Sequence, residues 1–444
     1  MNWSGVPDLA AMGLLTAAFV SVARRNPTHA SRAWLIGWTM IALHFTAALF
    51  QRLPGIPGLV AQIVTISSLT WAGLLFIWAS VPYRQENSTH RIFLSLAVSN
   101  TLYIGLMIGK SQIDWTFIPA AILLGGAPLL FSLASLRRCK HPLRWALVGM
   151  YASLSVWLLL VQSRPGNGAD LALDGVLSTV YFVCCLHFWY TYRRATAGAL
   201  VTIAGFFTWA MVWVAAPLVV AFLPTAHVES EVWNLPKYVV AVGMILLLLE
   251  EQIERNLHLA LHDHLTGLPN RRLYQDRLAS ALERARRTEA KAAVLVIDLD
   301  GFKKVNDTLG HHVGDLVLQR VGALFSTRVR RSDTVARTGG DEFSIVLEEP
   351  TSRADAELVG QSLKQLLLEP IELGEHRVRI GASIGIAVFP EDAREMEALS
   401  IAADLRMYDA KNDVHERRAQ EVVPALKMAP ARSVPPARRL ELVD

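Results

Sequence analysis

Three carboxylates carry the first chemical signal in this chain. Asp298 closes the apolar run "AVLVIDL", and Asp341 and Glu342 follow two glycines in "RTGGDEFSIVL". The first run has the length and β-branched content of a buried strand. The second reads as strand, tight turn, strand, with Gly339 and Gly340 at its tip. Acids in turns are commonly plain solvated residues, and a Gly-Gly pair supplies the positive φ angles of a type I′ turn. A second reading arises if the two strands lie side by side, because Asp298 then faces Asp341 and Glu342. Three converging carboxylates repel one another unless a cation joins them. Oxygen donors of this kind suit Mg²⁺, which takes one or two carboxylates and completes its shell with water and substrate phosphates. Two metal ions at a phosphate would activate an attacking hydroxyl and stabilise the leaving group. Gly339 and Gly340, having no side chains, would let a nucleotide approach the backbone.

The elements that must hold these acids alternate between strand and helix patterns. After "AVLVIDL" come a short helix, "FKKVNDTLG", and a longer one, "GDLVLQRVGALFSTRVR". Beyond the hairpin, the pattern predicts a helix over 354–368, a strand pair around "HRVRIGASIGIAVFP" and a helix over 396–411. Mixed elements of this kind imply an α/β or α+β sandwich, with helices covering one main sheet. The segment 418–444 is rich in Pro, Ala and Arg and is expected to be a disordered tail.

The chain has 444 residues, enough for two or more domains. Only 18% are charged, against about 25% in soluble proteins, and the deficit lies in residues 1–249. Nine apolar runs there, centred near Leu14, Ala42, Leu69, Ser99, Leu124, Ser153, Tyr181, Trp209 and Gly243, approach the length of a membrane span. Basic residues favour alternate loops: Arg24, Arg25, Arg32, Arg84, Arg91, Arg137, Arg138, Lys140, Arg144, Arg193 and Arg194, against Arg52, Lys110, Arg164 and Lys237. By the positive-inside rule the N-terminus is outside and the polar half is in the cytoplasm. The net charge of +4 then reflects topology, and no nucleic-acid partner is expected. The start has no basic n-region, so no cleaved signal peptide is expected. Cys139, Cys184 and Cys185 give no disulfide framework. Within the spans His44 and His187 are the main titratable groups, and Cys184 and Cys185 lie within a helical turn of His187. That trio is either a metal or haem site or ordinary packing, and too few polar groups line the spans for a transport path. Trp115, Trp145, Trp189 and Trp233 sit near span ends as interfacial anchors. Residues 250–262 continue the last span as a helical linker. Its stripe of Leu246, Leu249, Ile253, Leu257 and Ala260 either pairs with a second copy or lies on its own domain.

The polar half, residues 263–417, resembles the GGDEF domain of diguanylate cyclases. The resemblance rests on "DHLTGLPNRR", "DLDGFKKVNDTLGHHVGD", an intact "GGDEF", "SIGIAVFP" and "ADLRMYDAK", in that order. It covers about a third of the chain and implies a palm-like nucleotidyl-cyclase fold behind a multi-span α-helical membrane domain. The implied reaction condenses two GTP into cyclic di-GMP and two pyrophosphates, which requires two domains face to face in a homodimer. The implied cofactor is Mg²⁺, or Mn²⁺ in its place, with two ions per site. By the same resemblance Asp298, the Leu299 carbonyl, Asp341 and Glu342 hold metal, and Asp341 accepts the proton of the 3′-hydroxyl. Asn306 and Asp315 read the guanine edge, where helix capping is the alternative use. Lys303 and Lys411 contact phosphates, where a solvated helix face is the alternative for Lys411. Arg330 and Asp333 form an R-x-x-D at the family's product-inhibition site, where cyclic di-GMP binds; a local ion pair is the alternative. The implied location is the bacterial inner membrane.

One departure stands out. Many family members carry Gly-Arg-Asn shortly after the "AK", whereas this chain reads "AKNDVHE". His415 occupies the place of a phosphate-binding arginine, which leaves Arg417 or Arg418 to replace it. The competing functional readings are a catalytically weak GGDEF module that binds GTP or cyclic di-GMP, and a transport protein with a regulatory domain.

Overall fold

A computed structural model describes residues 5–25, 27–80, 87–109, 118–136, 144–161, 164, 167–192, 194–223, 225, 229–350 and 352–427. The chain divides into two compact units, residues 1–254 and 255–444. Of the residues used above, Arg84, Lys110, Trp115, Arg137, Arg138, Cys139, Lys140, Arg193 and the segment 428–444 lie outside the described residues.

The apolar runs of the first unit form helices α1 (Val6–Arg25), α2 (His29–Ala48), α3 (Ile56–Ser80), α4 (Asn87–Gly109) and α5 (Ile118–Leu136). They continue as α6 (Arg144–Val161), α7 (Gly168–Thr191), α8 (Ala197–Phe222) and α9 (Ser230–Leu261). Each expected span centre falls in one of them. Among the described residues five helices, α1, α3, α7, α8 and α9, are long and apolar enough to cross a membrane by length and composition. The core shared by α1, α2, α3, α7, α8 and α9 is aromatic: Trp34, Trp38, Tyr181, Phe188, Phe206 and Trp209 are all nearly or wholly buried. Tyr181 and Trp209 stack with ring centroids 3.8 Å apart, and each such buried ring adds the large apolar contact area that aromatic side chains bring.

Lys237 was counted among the loop residues, but it lies inside α9 and is 4% exposed. Polar partners on three other helices permit this. Its Nζ donates to Asn234 Oδ1 at 2.5 Å and lies 3.4 Å from His44 Nε2. Asn234 and Tyr238 in turn donate to the two oxygens of Asp8, each at 2.6 Å. His44 Nδ1 meets the Thr65 carbonyl at 2.9 Å. The thiols of Cys184 and Cys185 are buried and donate to the carbonyls of Gly73 and Ile203. Among the described residues no three side chains of His, Cys, Asp or Glu group as a metal site there.

The second unit opens with α10 (Arg271–Thr288) and β1 (Ala292–Asp300), followed by α11 (Phe302–Leu309) and α12 (His311–Ser326). Then come β2 (Thr334–Arg337), β3 (Glu342–Glu348) and α13 (Arg353–Leu366), and after them β4 (Ile371–Leu373), β5 (His376–Val378), β6 (Gly381–Phe389) and α14 (Met396–Lys427). The main sheet is antiparallel, in the order β2-β3-β1-β6. The strand pair expected around "HRVRIGASIGIAVFP" is not formed. β5 pairs with β4 in a separate two-stranded sheet, while β6 joins β1.

Alternation along the strands divides the core in two, since successive side chains point to opposite faces. Leu295, Ile297, Phe343 and Ile345 pack with α11, α12 and α13. Val294, Val346 and Ala387 pack with α10 and α14 on the other face. Full burial of each large apolar side chain contributes about 1.5–3 kcal/mol, so both faces of the sheet are fastened. α14 runs on to Lys427, so the segment expected to be a disordered tail begins inside a helix.

Candidate active site

The register of β1 and β3 pairs Asp298 with Glu342. Directly opposed residues of an antiparallel pair share a face, and this face is the one covered by α14. Leu299 is turned into the opposite core, where it is 1% exposed, and its backbone N–H donates to the Asp341 carbonyl at 3.3 Å. The three acids of the sequence argument therefore stand at one end of the sheet. The turn between them differs from the expectation. Neither Gly339 nor Gly340 has a positive φ, so this is not a type I′ turn. The strand pairing ends at Arg337 and Phe343, and the five-residue connection left between them needs no primed geometry. Gly339 lies against the exposed Glu342 side chain, whose Oε2 would be 2.6 Å from a Cβ at that position.

Asp298 is 5% exposed. Lys411, arriving on α14, donates to its Oδ2 at 2.8 Å. That hydrogen bond, with smaller contributions from the charges of Asp341 and Asp300, raises the Lys411 ammonium above the usual lysine range. The other oxygen, Asp298 Oδ1, is buried with no hydrogen-bond partner among the described residues. A buried acceptor left unpaired costs about 1–3 kcal/mol, and a hard cation is the group an orphaned carboxylate oxygen suits. Among the described residues no three acids stand close enough to form a ready cage, so the convergence expected from the sequence is looser than foreseen. Lys411 supplies the counter-charge at Asp298. The donor types present, the carboxylates of Asp298, Asp341 and Glu342, are those a divalent cation of the Mg²⁺ class takes.

A brace missed by the sequence reasoning holds the turn. Arg337 donates through Nε and Nη2 to the Gly340 carbonyl, at 3.1 and 2.7 Å, and through Nη1 to Asp263 Oδ1 at 2.9 Å. Burial works against the ionised Asp263, yet hydrogen bonds from Thr266 and Arg337 hold its carboxyl below the usual range. Asn270, at the end of the same "DHLTGLPN" loop, caps α10 by accepting from the Arg272 and Leu273 N–H groups. The opening motif and the hairpin are therefore one structure. Asp300 is held separately, by a 2.7 Å hydrogen bond from Ser383.

The expected guanine readers lie on the helix pair α11–α12, which turns at Gly310 with φ +84°. Asn306 packs against Gly314, where its Oδ1 leaves no room for a Cβ, and Asp315 follows, exposed. Neither side chain caps a helix, because both helices begin at a glycine without a side-chain cap. Lys303 is exposed on α11. Arg330 and Asp333 precede β2 and so lie at the end of that strand away from the hairpin tip. Asp333 accepts from the backbone N–H groups of Arg330 and Glu348, at 2.8 and 3.1 Å. Among the described residues its carboxylate forms no ion pair with the exposed Arg330 guanidinium. The side chains of His415, Arg417 and Arg418 lie outside the described residues.

The model of the family described as "Diguanylate cyclase, GGDEF domain" matches residues 260–417. The chain is 31% identical over 371 residues to the bifunctional diguanylate cyclase/cyclic di-GMP phosphodiesterase MucR of Pseudomonas aeruginosa, covering 80% of this chain and 54% of that protein. It is 42% identical over 162 residues to the diguanylate cyclase TpbB of the same organism, covering 36% of this chain and 37% of that one. The chain thus spans about half the length of the first relative and about a third of the second. The solved GGDEF domain of TpbB is also 42% identical; it covers 33% of this chain and 92% of the solved chain, with a TM-score of 0.33. The chain belongs to the GGDEF family, and residues 260–417 are its diguanylate-cyclase-type domain.

Proposed function

We propose that this protein is a membrane-bound diguanylate cyclase that acts as a homodimer and is restrained by its product. The observation that carries the reading is the buried, partnerless oxygen of Asp298, directly opposite Glu342 and beside the braced Gly339–Gly340 turn. Asp298, Asp341, Glu342 and the Leu299 carbonyl would hold Mg²⁺ or Mn²⁺. Bound divalent ions supply charge to activate a hydroxyl and to steady a departing pyrophosphate. Asn306 and Asp315 offer an amide and a carboxylate to the guanine edge, which together satisfy its donors and its carbonyl. Lys303 and Lys411 face the phosphates. In the reaction the 3′-oxygen of each GTP bonds to the α-phosphorus of the other, the α–β phosphoanhydride breaks, and pyrophosphate leaves. Asp341 takes the hydroxyl proton.

Two domains must meet for this exchange, and the linker supplies a means. Ile253 and Leu257 on α9 are 58% and 55% exposed, an apolar stripe suited to pairing with its copy. The apolar helices of the first unit suit an inner membrane, with the GGDEF domain in the cytoplasm. Arg330, whose guanidinium makes no ion pair among the described residues, suits a fork-shaped contact to cyclic di-GMP.

The test is to incubate the full chain in lipid nanodiscs with GTP and Mg²⁺ and to identify the nucleotide by mass spectrometry. Cyclic di-GMP is expected, and Asp341→Ala is expected to lower its formation by about a thousandfold. A wild-type protein that dimerises and binds GTP yet forms no product would instead be a binding module. Arg330→Ala should weaken inhibition by added cyclic di-GMP; an unchanged inhibition curve would remove the product-restraint claim.

A further inference from the structure

A cleft of about 750 Å³ opens between α6, α7 and α8 of the first unit. Its walls are mostly apolar, and its volume lies in the range of sites for small ligands. Three features separate it from a plain groove. Asp174, on the second turn of α7, lines it and makes no hydrogen bond or ion pair among the described residues. Asp170 lies one turn earlier on the same helix, in its first turn, so a second negative charge stands close by. Two tryptophans also line the cleft. Trp157 lies against Gly175, where a Cβ would fall 2.6 Å from its ring, and its indole donates to the Leu171 carbonyl at 3.1 Å. The Trp213 indole N–H is buried without a partner among the described residues.

An unpaired carboxylate within a membrane-spanning segment is costly and marks a site where something else supplies its partner. The two indoles lining the same cleft suit the same partner, since the ring quadrupole attracts cations. We propose that this cleft binds an amphiphile with an alkyl chain and an ammonium head, the head paired with Asp174 between the two indoles and the chain lying along the apolar wall. The cleft is half open, with Trp157 and Leu218 42% and 50% exposed, so the ligand enters from the bilayer. The shared chemistry, an ammonium on an alkyl chain, is found in free cationic amphiphiles and in ethanolamine phospholipids.

The test uses the full chain in phosphatidylglycerol nanodiscs and equilibrium dialysis of radiolabelled decyltrimethylammonium below its micellar concentration, with empty discs as background. Saturable binding of one probe per chain is expected, with decanol showing only the disc background. Asp174→Asn should weaken the probe about tenfold, the equivalent of one lost charge contact of about 1.4 kcal/mol. Gly149→Phe keeps the charge but fills the cleft, because a Cβ at Gly149 meets nothing within 4 Å; it should abolish saturable binding. Adding phosphatidylethanolamine to the discs separates the sources: competition identifies the lipid, and unchanged affinity identifies a free amphiphile. Binding no greater than in empty discs, or equal for the native chain and both variants, overturns the proposal. Decanol binding as well as the cation to the native chain would also overturn it, without recourse to any variant. The assay reads binding alone and stands whether or not the chain turns over GTP.

Discussion

Two buried carboxylates, Asp8 in the helical unit and Asp298 in the GGDEF unit, are treated in opposite ways. In the helical unit Asp8, Asn234, Lys237, Tyr238, His44 and the Thr65 carbonyl answer one another across four helices. In the GGDEF unit one buried oxygen of Asp298 is left unanswered, at the sheet end where Glu342 and Asp341 also stand. Buried polar groups are normally paired, so a closed network fixes a packing arrangement, while an open valence points to a missing ligand. The contrast separates polar residues that hold the fold from those that serve a reaction, and substitutions at the two kinds should fail in different ways.

The largest effect is expected at the open site. Asp298→Asn retains the shape and an acceptor for Lys411 but gives up the negative charge. Turnover of GTP by the full chain should fall by about a thousandfold. Stability should hardly change, because the carboxylate is held there at a cost. A variant that melts early and is inactive only in proportion would place Asp298 with the structural residues and end the contrast.

At the closed site the order reverses. Lys237→Met leaves Asn234 Oδ1 without its donor and Asp8 without a nearby positive charge. Breaking a buried charged network by removing one member costs about 3 kcal/mol, or roughly 6–12 °C in the melting temperature of a unit of this size. Every tryptophan of the chain lies at or before Trp233, so indole fluorescence follows this unit alone. Melting unchanged from the native chain would show that the network does not secure the helices.

Local pattern made much of this visible beforehand. The alternation in "AVLVIDL" placed Asp298 on a definite face, and hydrophobic length located a helix at each span centre. What escaped the sequence reading depends on partners far along the chain. Arg337 meets Asp263 across 74 positions, and nothing in the spacing around the hairpin marks that arginine as the turn's brace. Lys237 looked like a loop residue because burial of a lysine is set by what neighbouring helices offer, here His44 and, through Asn234, Asp8. β5 and β6 are separated in sequence only by Arg379 and Ile380, and their pairing with different strands follows from long-range register. Asp174 drew no notice because one acid in an apolar run has no period; only the cleft beside it gives it meaning.

The GGDEF unit also contains a closed site of its own, which allows the contrast to be tested within one domain. Asp392 accepts from both terminal nitrogens of Arg406, from Arg353 Nη2 and from the Val388 N–H, at 2.7–2.8 Å. The Arg406 hydrogen bond, followed by those of Val388 and Arg353, outweighs burial and holds the carboxyl well below the usual aspartate range. A depressed folded-state pKa stabilises the fold above the unfolded-state value near 3.9, and that contribution is lost as pH falls through the folded-state value. The arginines are partly exposed, with side chains 33% and 44% accessible, so solvent screening limits the worth of the cluster to about 1–2 kcal/mol. Asp392→Asn should therefore lower the calorimetric transition of this unit at pH 7 by a few degrees. It should also flatten the native chain's loss of stability below about pH 4. Because Asp392 lies away from the acids of the hairpin, GTP turnover at 25 °C should remain near the native rate. A large loss of turnover with an unchanged transition would show that satisfied polar clusters in this domain also serve the reaction, and the division drawn between the two kinds of site would fail where it is most easily measured.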